Sequence, residues 1–314
     1  MGTTGCGKTQ FVNTASGSQY EVGHNLASCT AHLQDAKFSI DDQPIALIDT
    51  PGFDDTEKPQ TDVLKEIALF LRKSYTKRDK VDGVIYMHRI SDNRMGGTAL
   101  GTYRLFMKIC GEEAMKNVMI VTNMWNNVEQ PVGEAREEEL RTRFFQDAVL
   151  HHARMSRHND TRESAHQILK SMLANQAEVL RVQTEMVDEN KTVLETGAGV
   201  ELERELNALA EKHERAMKEL LASMTAHAMA DTAAAVAAEK EATKQELEKL
   251  QKKLEEIERE RAKLPEVLAQ EVIAKVIHII SDTFPPRTRR REPWWNKFRI
   301  RRARNDSSDK RGRV

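Results

Sequence analysis

Gly2-Thr3-Thr4-Gly5-Cys6-Gly7-Lys8-Thr9, at the start of the chain, matches the pattern G-x-x-x-x-G-K-[ST]. Each position has a physical task in holding phosphate. The glycines let the backbone turn so that successive N–H groups point inward and form a concave anion nest. A helix beginning at about Lys8 aims its positive end at the same point. Lys8 neutralises β- and γ-phosphates, and the Thr9 hydroxyl reaches Mg²⁺. The competing reading is a glycine-rich coil that fits the pattern by chance. Against it, the helix the pattern requires does follow: Phe11, Val12 and Ala15 fall at helical spacing, and Gly17 offers a stop.

A second motif lies downstream. Ala31 to Ile40 is patchily strand-like, and Asp41-Asp42-Gln43 is a turn. Pro44 then opens a strand whose run Ile45-Ala46-Leu47-Ile48 is apolar throughout, as in a strand buried on both faces. The strand ends in Asp49-Thr50-Pro51-Gly52-Phe53, a DxxG sequence. At that place Asp49 organises a water on Mg²⁺ and the Gly52 N–H meets a γ-phosphate. A plain strand-to-turn exit is the bland alternative, weakened by the first motif.

Further along, periods alternate. Helices are predicted over Asp62 to Tyr75, Thr98 to Cys110 and Glu134 to Leu150. Strands are predicted over Gly83 to Met87, Val118 to Val121 and about Ala153 to Met155. Strands alternating with helices imply an α/β fold, a mostly parallel sheet covered on both faces. The fold class is a three-layer P-loop G domain followed by a long α-helical, coiled-coil extension. Ligands bind such sheets at the strand carboxyl ends, which gathers Thr9, Asp49, the His88-Arg89 region and Thr122. A phosphate loop ordinarily hangs from a central strand, but only Met1 precedes Gly2, so the first strand is expected to be missing. Its neighbours would then lack ladder partners.

The strand ending at Val121 runs into Thr122-Asn123-Met124-Trp125. A GTPase carries [NT]KxD here, and the aspartate accepts two hydrogen bonds from guanine. Trp125 stands in the aspartate position, and its indole only donates. Guanine choice therefore does not follow from these residues. Trp125 reads equally as a stacking surface for a base or as a packing residue.

GTTGCGKT, VGHNLASCT, IDTPGFDDT, YMHRISDNRMGG and IVTNMW, taken in order, resemble the GIMAP, Toc and septin branch of the TRAFAC GTPases. They look most like fungal G-domain proteins with coiled-coil tails. The resemblance covers residues 1–175. It implies GTP and GDP as ligands and Mg²⁺ as cofactor, held by Thr9, Asp49 and Thr30, the switch threonine. It implies nucleotide contacts from Gly2, Thr3, Thr4, Gly5, Cys6, Gly7, Lys8, Thr9, Gln10, Thr30, Gly52, Thr122, Asn123, Trp125 and the His158-Asn159 loop. Arg89 to Gly97 corresponds to a segment that GIMAP-like proteins carry between the DxxG strand and the base-binding strand. Phe53 replaces the glutamine that orients the attacking water in Ras-like enzymes, so slow or partner-dependent hydrolysis is expected. No catalytic residue is assigned. Many of the family dimerise across the nucleotide face, which implies self-association.

The charged fraction is 31% and the aromatic fraction 5%, a composition of long solvated helices. Asp160 and Glu163 form a capping-box-like start for a helix towards Thr192, broken at Gly197-Ala198-Gly199. Leu247, Leu250, Leu254, Ile257, Arg261, Leu264 and Leu268 step by threes and fours, a heptad seam, and Leu202, Leu206 and Leu209 begin another. Self-association through a coiled coil is favoured over a helix folded back on the G domain. Net charge is −1, yet 12 Lys/Arg against 4 Asp/Glu from Ser281 to Val314 put +8 on the tail and −9 on the rest. With Trp294 and Trp295 interleaved, the tail suits an anionic membrane, nuclear import, loose nucleic-acid contact or plain disorder.

The expected domains are 1–175 (P-loop G domain), 176–268 (helical, coiled-coil) and 269–314 (basic tail). Cys6, Cys29 and Cys110 form neither a disulfide framework nor a zinc site and point to a reducing compartment. With no signal-peptide pattern, a cytoplasmic protein, membrane-peripheral if the tail binds lipid, is expected. Two functions remain: a nucleotide-dependent switch or assembly protein, and a non-enzymatic coiled-coil scaffold with a degenerate G domain.

Overall fold

The strand segments, some apolar runs and some mixed, fold as two sheets. In this computed structural model residues 1–20, 32–54, 58–77, 81–227 and 244–259 are described. Strand β1 (Gln34–Ile40) pairs antiparallel with β2 (Gln43–Asp49) across Asp41-Asp42, whose φ angles of 49° and 62° suit a two-residue hairpin turn. Strands β3 (Val84–Arg89), β4 (Val118–Asn123) and β5 (Arg154–Arg157) form a parallel sheet in that order. The hairpin is a separate two-stranded sheet, so β2 is not buried on both faces as its apolar run predicts: Ala46 is exposed, and Ile45, Leu47 and Ile48 are half-buried. Met1 and Gly2 lie along the open edge of β3: the Met87 N–H donates to the Met1 carbonyl at 2.9 Å, and Gly2 bridges Met87 in parallel.

Alternation along β3 and β4 builds two cores. Val84, Tyr86, Val118 and Ile120 face α2 (Gln60–Thr76) and α3 (Gly97–Cys110). Met87, Met119 and Val121 face the other way, where Phe11 and Ala15 of α1 (Lys8–Ser16) and Ile168 and Leu169 of α6 (Arg162–Leu173) cover them. The parallel sheet is thus buried on both faces, as expected for an α/β fold of this kind. Helix α1 stops where expected, at Gly17 with φ 77°.

Three expected helices depart from the sequence reading. The segment expected as one helix over Glu134 to Leu150 is α4 (Gln130–Glu139), a π-turn (Leu140–Phe144) and α5 (Gln146–Leu150). The wide turn seats Phe145 fully in the core against Tyr86, His88 and Tyr103. The helix expected to run from Asp160 to Thr192 starts after Thr161, whose hydroxyl accepts from the Ser164 N–H at 3.2 Å, and ends at Leu173. The chain then crosses the sheet end, with the Asn117 amide donating to the Gln176 carbonyl at 2.6 Å, before α7 (Arg181–Val187). Gly197-Ala198-Gly199, expected as a break, is instead the start of α8 (Gly197–His227). The Thr196 hydroxyl caps it by accepting from the Gly199 N–H at 3.1 Å. A Cβ on Gly199 would lie 2.3 Å from the Val193 carbonyl oxygen, so only glycine fits.

Leu180, Val182, Met186, Ala198, Leu202 and Leu206 enter the same core as α2 and α3, so side chains on both sides of residue 175 share it. Residues 244–259 are helical. Their seam positions Leu247, Leu250 and Leu254 are half-buried and Ile257 is buried, while the chain's other faces there are exposed. Lys253 lies near enough to His213 of α8 to help lower its pKa, after burial. The seam is therefore covered within this chain; a coiled coil between chains is not shown. Among the described residues no helix is long and apolar enough to cross a membrane. Thr30, Cys29, Arg261, Leu264, Leu268 and the basic tail lie outside the described residues.

Candidate functional site

The phosphate loop curls because three of its glycines take backbone angles that side chains disfavour: Gly2 at φ 141°, Gly5 at 73° and Gly7 at 87°. Gly7 is the residue before α1, so the loop ends on that helix's N-terminus. The Lys8 ammonium is folded into the loop and donates to the Thr3 carbonyl at 2.8 Å and the Gly2 carbonyl at 3.2 Å. Buried there, it is the positive charge a phosphate would meet.

The Thr9 hydroxyl donates to Asp49 Oδ2 at 2.7 Å. Asp49 is 2% exposed, and its Oδ1 has no hydrogen-bond partner. Burial pushes its carboxyl above the usual range, against the opposing pull of Thr9 and Lys8. A buried carboxylate with one oxygen unspent beside a hydroxyl is a hard-oxygen donor pair, which fits Mg²⁺. Among the described residues no group of three or more His, Cys, Asp or Glu could hold a metal by itself. A cation here would therefore draw its remaining ligands from water and phosphate oxygens, as Mg²⁺ does.

The DxxG turn lies directly on the phosphate loop. A Cβ on Gly52 would sit 2.1 Å from Thr4 Oγ1, which itself lacks a partner. Asp54 closes the contact by accepting from the Thr4 N–H. A carboxylate thus occupies one donor of the anion nest. Phe53, where a water-orienting side chain would stand, is fully buried in the first core.

At the base end, the Asn123 amide donates to the Cys6 carbonyl at 3.4 Å and so ties the end of β4 to the phosphate loop. Trp125 turns inward. Its indole N–H reaches the Thr122 hydroxyl at 3.1 Å and carbonyl at 3.2 Å. One face carries the Arg157 guanidinium at 4.2 Å, and a Cβ on Gly133 would meet the ring edge at 2.8 Å. Arg157 is held in turn by hydrogen bonds to both carboxylate oxygens of Glu137. The His158 N–H donates to the Thr122 carbonyl at 2.9 Å, which brings the end of β5 to the same point. The His158 ring is buried against Phe11, with Nδ1 on the Ser164 hydroxyl and Nε2 without a hydrogen bond, 3.7 Å from Asp160 Oδ1; burial lowers its pKa against the opposing pull of Asp160. Asn159 is exposed and its N–H donates to Ser164 Oγ at 3.2 Å. Gln10 is exposed on α1.

Residues 1–124 match the model of the family described as 50S ribosome-binding GTPase. That match, the phosphate loop and the α/β layering support a P-loop GTPase domain in this stretch. Solved structures with similar folds include Toc33 from Arabidopsis thaliana with GDP and Mg²⁺, at 16% identity and TM-score 0.44 over 58% of this chain and 85% of that one. Toc33 with Mg²⁺ and GMPPNP gives 16%, 0.41, 51% and 69%. Elongation factor SelB from Methanococcus maripaludis with GPPNHP gives 13%, 0.39, 58% and 34%. No curated protein matches the chain.

The structure brings the phosphate loop, Thr9, Asp49, Gly52 and Asn123 together. Arg89, at the end of β3, reaches the loop as expected of the strand carboxyl ends, and Asp54, one position beyond the DxxG-Phe sequence and not singled out by the motifs, also touches it.

Proposed function

We propose that this chain binds a guanine nucleotide with Mg²⁺ and acts as a switch or assembly protein of the GIMAP, Toc and septin kind. Its hydrolysis is slow or partner-dependent. The observation that supports this is the Thr9–Asp49 pair at 2.7 Å, with a buried unspent carboxylate oxygen, at the edge of an anion nest. Mg²⁺, when bound, would be held by Thr9 and Asp49 and would supply positive charge against the phosphates. Thr9 and Asp49 orient that charge, Lys8 supplies the fixed cation, and the Gly52-to-Asp54 turn responds to a γ-phosphate by leaving Thr4. The protein is proposed to be cytoplasmic, with Thr30 as a further Mg²⁺ ligand and the basic tail as a contact for anionic membrane or nucleic acid. Titration with a fluorescent GTP analogue, with Mg²⁺ and with chelator, tests the reading. Binding that needs Mg²⁺ and disappears in Lys8→Ala is expected; equal binding by Lys8→Ala would overturn it.

A second reading, a non-enzymatic coiled-coil scaffold whose degenerate G domain binds nucleotide poorly, is favoured by one observation. The Trp125 indole N–H is committed to Thr122 and one ring face carries Arg157, and an indole has no acceptor to offer guanine. Failure of the native chain to bind any nucleoside triphosphate would select this reading.

A further inference from the structure

A guanidinium lies against the phosphate loop. Arg89 is the last residue of β3, and Met87, two residues earlier, packs among Cys6 and Phe11 in the core beneath the loop. Strand alternation puts Arg89 on that same side. Its Nη1 lies 3.3 Å from where a Cβ on Gly5 would stand. Asp92 holds only the Nε, at 3.2 Å from Oδ2 and 3.1 Å from Oδ1. Among the described residues the two Nη groups have no hydrogen-bond partner. The register partner of Arg89 on β4 is Asn123, whose amide reaches Cys6, so both strand ends are braced against the loop.

We propose that Arg89 is a second cationic phosphate ligand of this site, held by Asp92 so that its two Nη groups meet the phosphates of a nucleotide beside Gly5. The inference rests on the nucleotide-binding reading above. Lys8 is a compact point charge already shared with two loop carbonyls, whereas a guanidinium presents a planar fork that matches two phosphate oxygens at once. Arg89 then favours polyphosphates over monophosphates. Asp92 is a positioning residue: it fixes the guanidinium plane through Nε without occupying the fork.

The alternative role, a strut that shapes the turn at Gly5, differs in measurable ways. Full-length chains carrying Arg89→Gln, Arg89→Lys, Asp92→Asn or Lys8→Ala would be titrated with methylanthraniloyl GTP, GDP and GMP at several salt concentrations, with melting temperature as the fold check. Arg89→Gln is expected to weaken GTP binding by about tenfold or more, GDP less and GMP least, with a shallower salt dependence. Arg89→Lys restores charge but not the fork and recovers part of the loss. Asp92→Asn gives an intermediate loss. If Arg89→Gln melts early, the Arg89→Lys and Asp92→Asn series carries the test. Parental GTP affinity in Arg89→Gln and Arg89→Lys, with binding lost in Lys8→Ala, overturns the role of Arg89 and leaves the nucleotide site standing. An equal loss for all three nucleotides at unchanged salt dependence also overturns it. Parental binding in Lys8→Ala overturns the nucleotide reading itself.

Discussion

Thr9 Oγ1 and Asp49 Oδ2 are 2.7 Å apart although 40 residues separate them in the chain. The first belongs to the helix that follows the phosphate loop, the second to the end of β2. Their contact joins the hairpin sheet to the loop in a fold where no ladder joins that hairpin to β3.

Asp49→Asn should separate stability from binding. Burial raises the Asp49 carboxyl, so the charged form is costly to the nucleotide-free fold. For a group whose folded pKa is raised, stability is fully present below the unfolded value and is lost as pH rises through the folded one. Asparagine stays neutral at every pH and removes the burden of the buried charge. Calorimetry without nucleotide should show Asp49→Asn melting higher than the parent, by an amount equivalent to about 1 kcal/mol. Titration should show its Mg²⁺-dependent affinity reduced by about tenfold or more. A lower melting temperature together with unchanged Mg²⁺ dependence would contradict this account.

Asp54 competes with phosphate for the loop. Its carboxylate takes the Thr4 N–H, and like charges do not share an anion nest. Asp54→Ala should therefore tighten triphosphate binding by a few-fold, on the scale of about 1 kcal/mol for one hydrogen bond and one removed anion. Stopped-flow association of a fluorescent GTP analogue should be faster in the variant. Unchanged rates and affinity would show that the contact has no competing role.

Acid should destabilise the chain through His88. It lies at the carboxyl end of β3, 3% exposed, edge-on to Phe145, and burial lowers its pKa to about 4. A base whose folded pKa is depressed contributes stability that is present above its unfolded value of about 6.5 and fades as pH falls towards 4. The contribution is on the order of 3 kcal/mol. His88→Gln should flatten the fall in melting temperature between pH 6.5 and 4. A parallel fall in parent and variant would place the acid sensitivity elsewhere.

Trp125 should matter more to stability than to base choice. Trp125→Phe keeps a ring under Arg157 but removes the N–H bonds to Thr122, at a cost of about 1 kcal/mol. Competition between GTP and ATP should give the same ratio in parent and variant, and a small ratio in both. A large preference for GTP that collapses in Trp125→Phe would mean the indole contacts the base.

The phosphate loop, its following helix, the apolar β2 ending in Asp49 and the alternation of strands with helices were legible in the sequence. Each is a local pattern whose physics is complete within about twenty residues or fewer: glycine backbone freedom, helix direction, and an apolar run closed by a turn. Burial of β2 on both faces was not among them, because it depends on which strands flank the hairpin. Helix continuity was less legible. The segments after Glu139 and after Leu173 keep helical spacing, yet the chain leaves the helix there because Phe145 and Leu180 gain more from the core than from one more turn. The glycines at 197 and 199 read as a break until the cap on Thr196 and the close approach of the 193–194 backbone show them as a beginning. The heptad seam was visible, but whether it meets this chain or another is set by surfaces distant in sequence.

By itself, the sequence determined that a phosphate nest with Lys8 and Thr9 exists and that Asp49 ends an apolar strand. Only the tertiary structure decided that Asp54 and Arg89 also reach the nest, that Trp125 turns inward, and that Asn123 ties β4 to Cys6. Apart from the inward turn of Trp125, whose direction follows from packing, those contacts span 50 to 117 residues, and no local pattern encodes them.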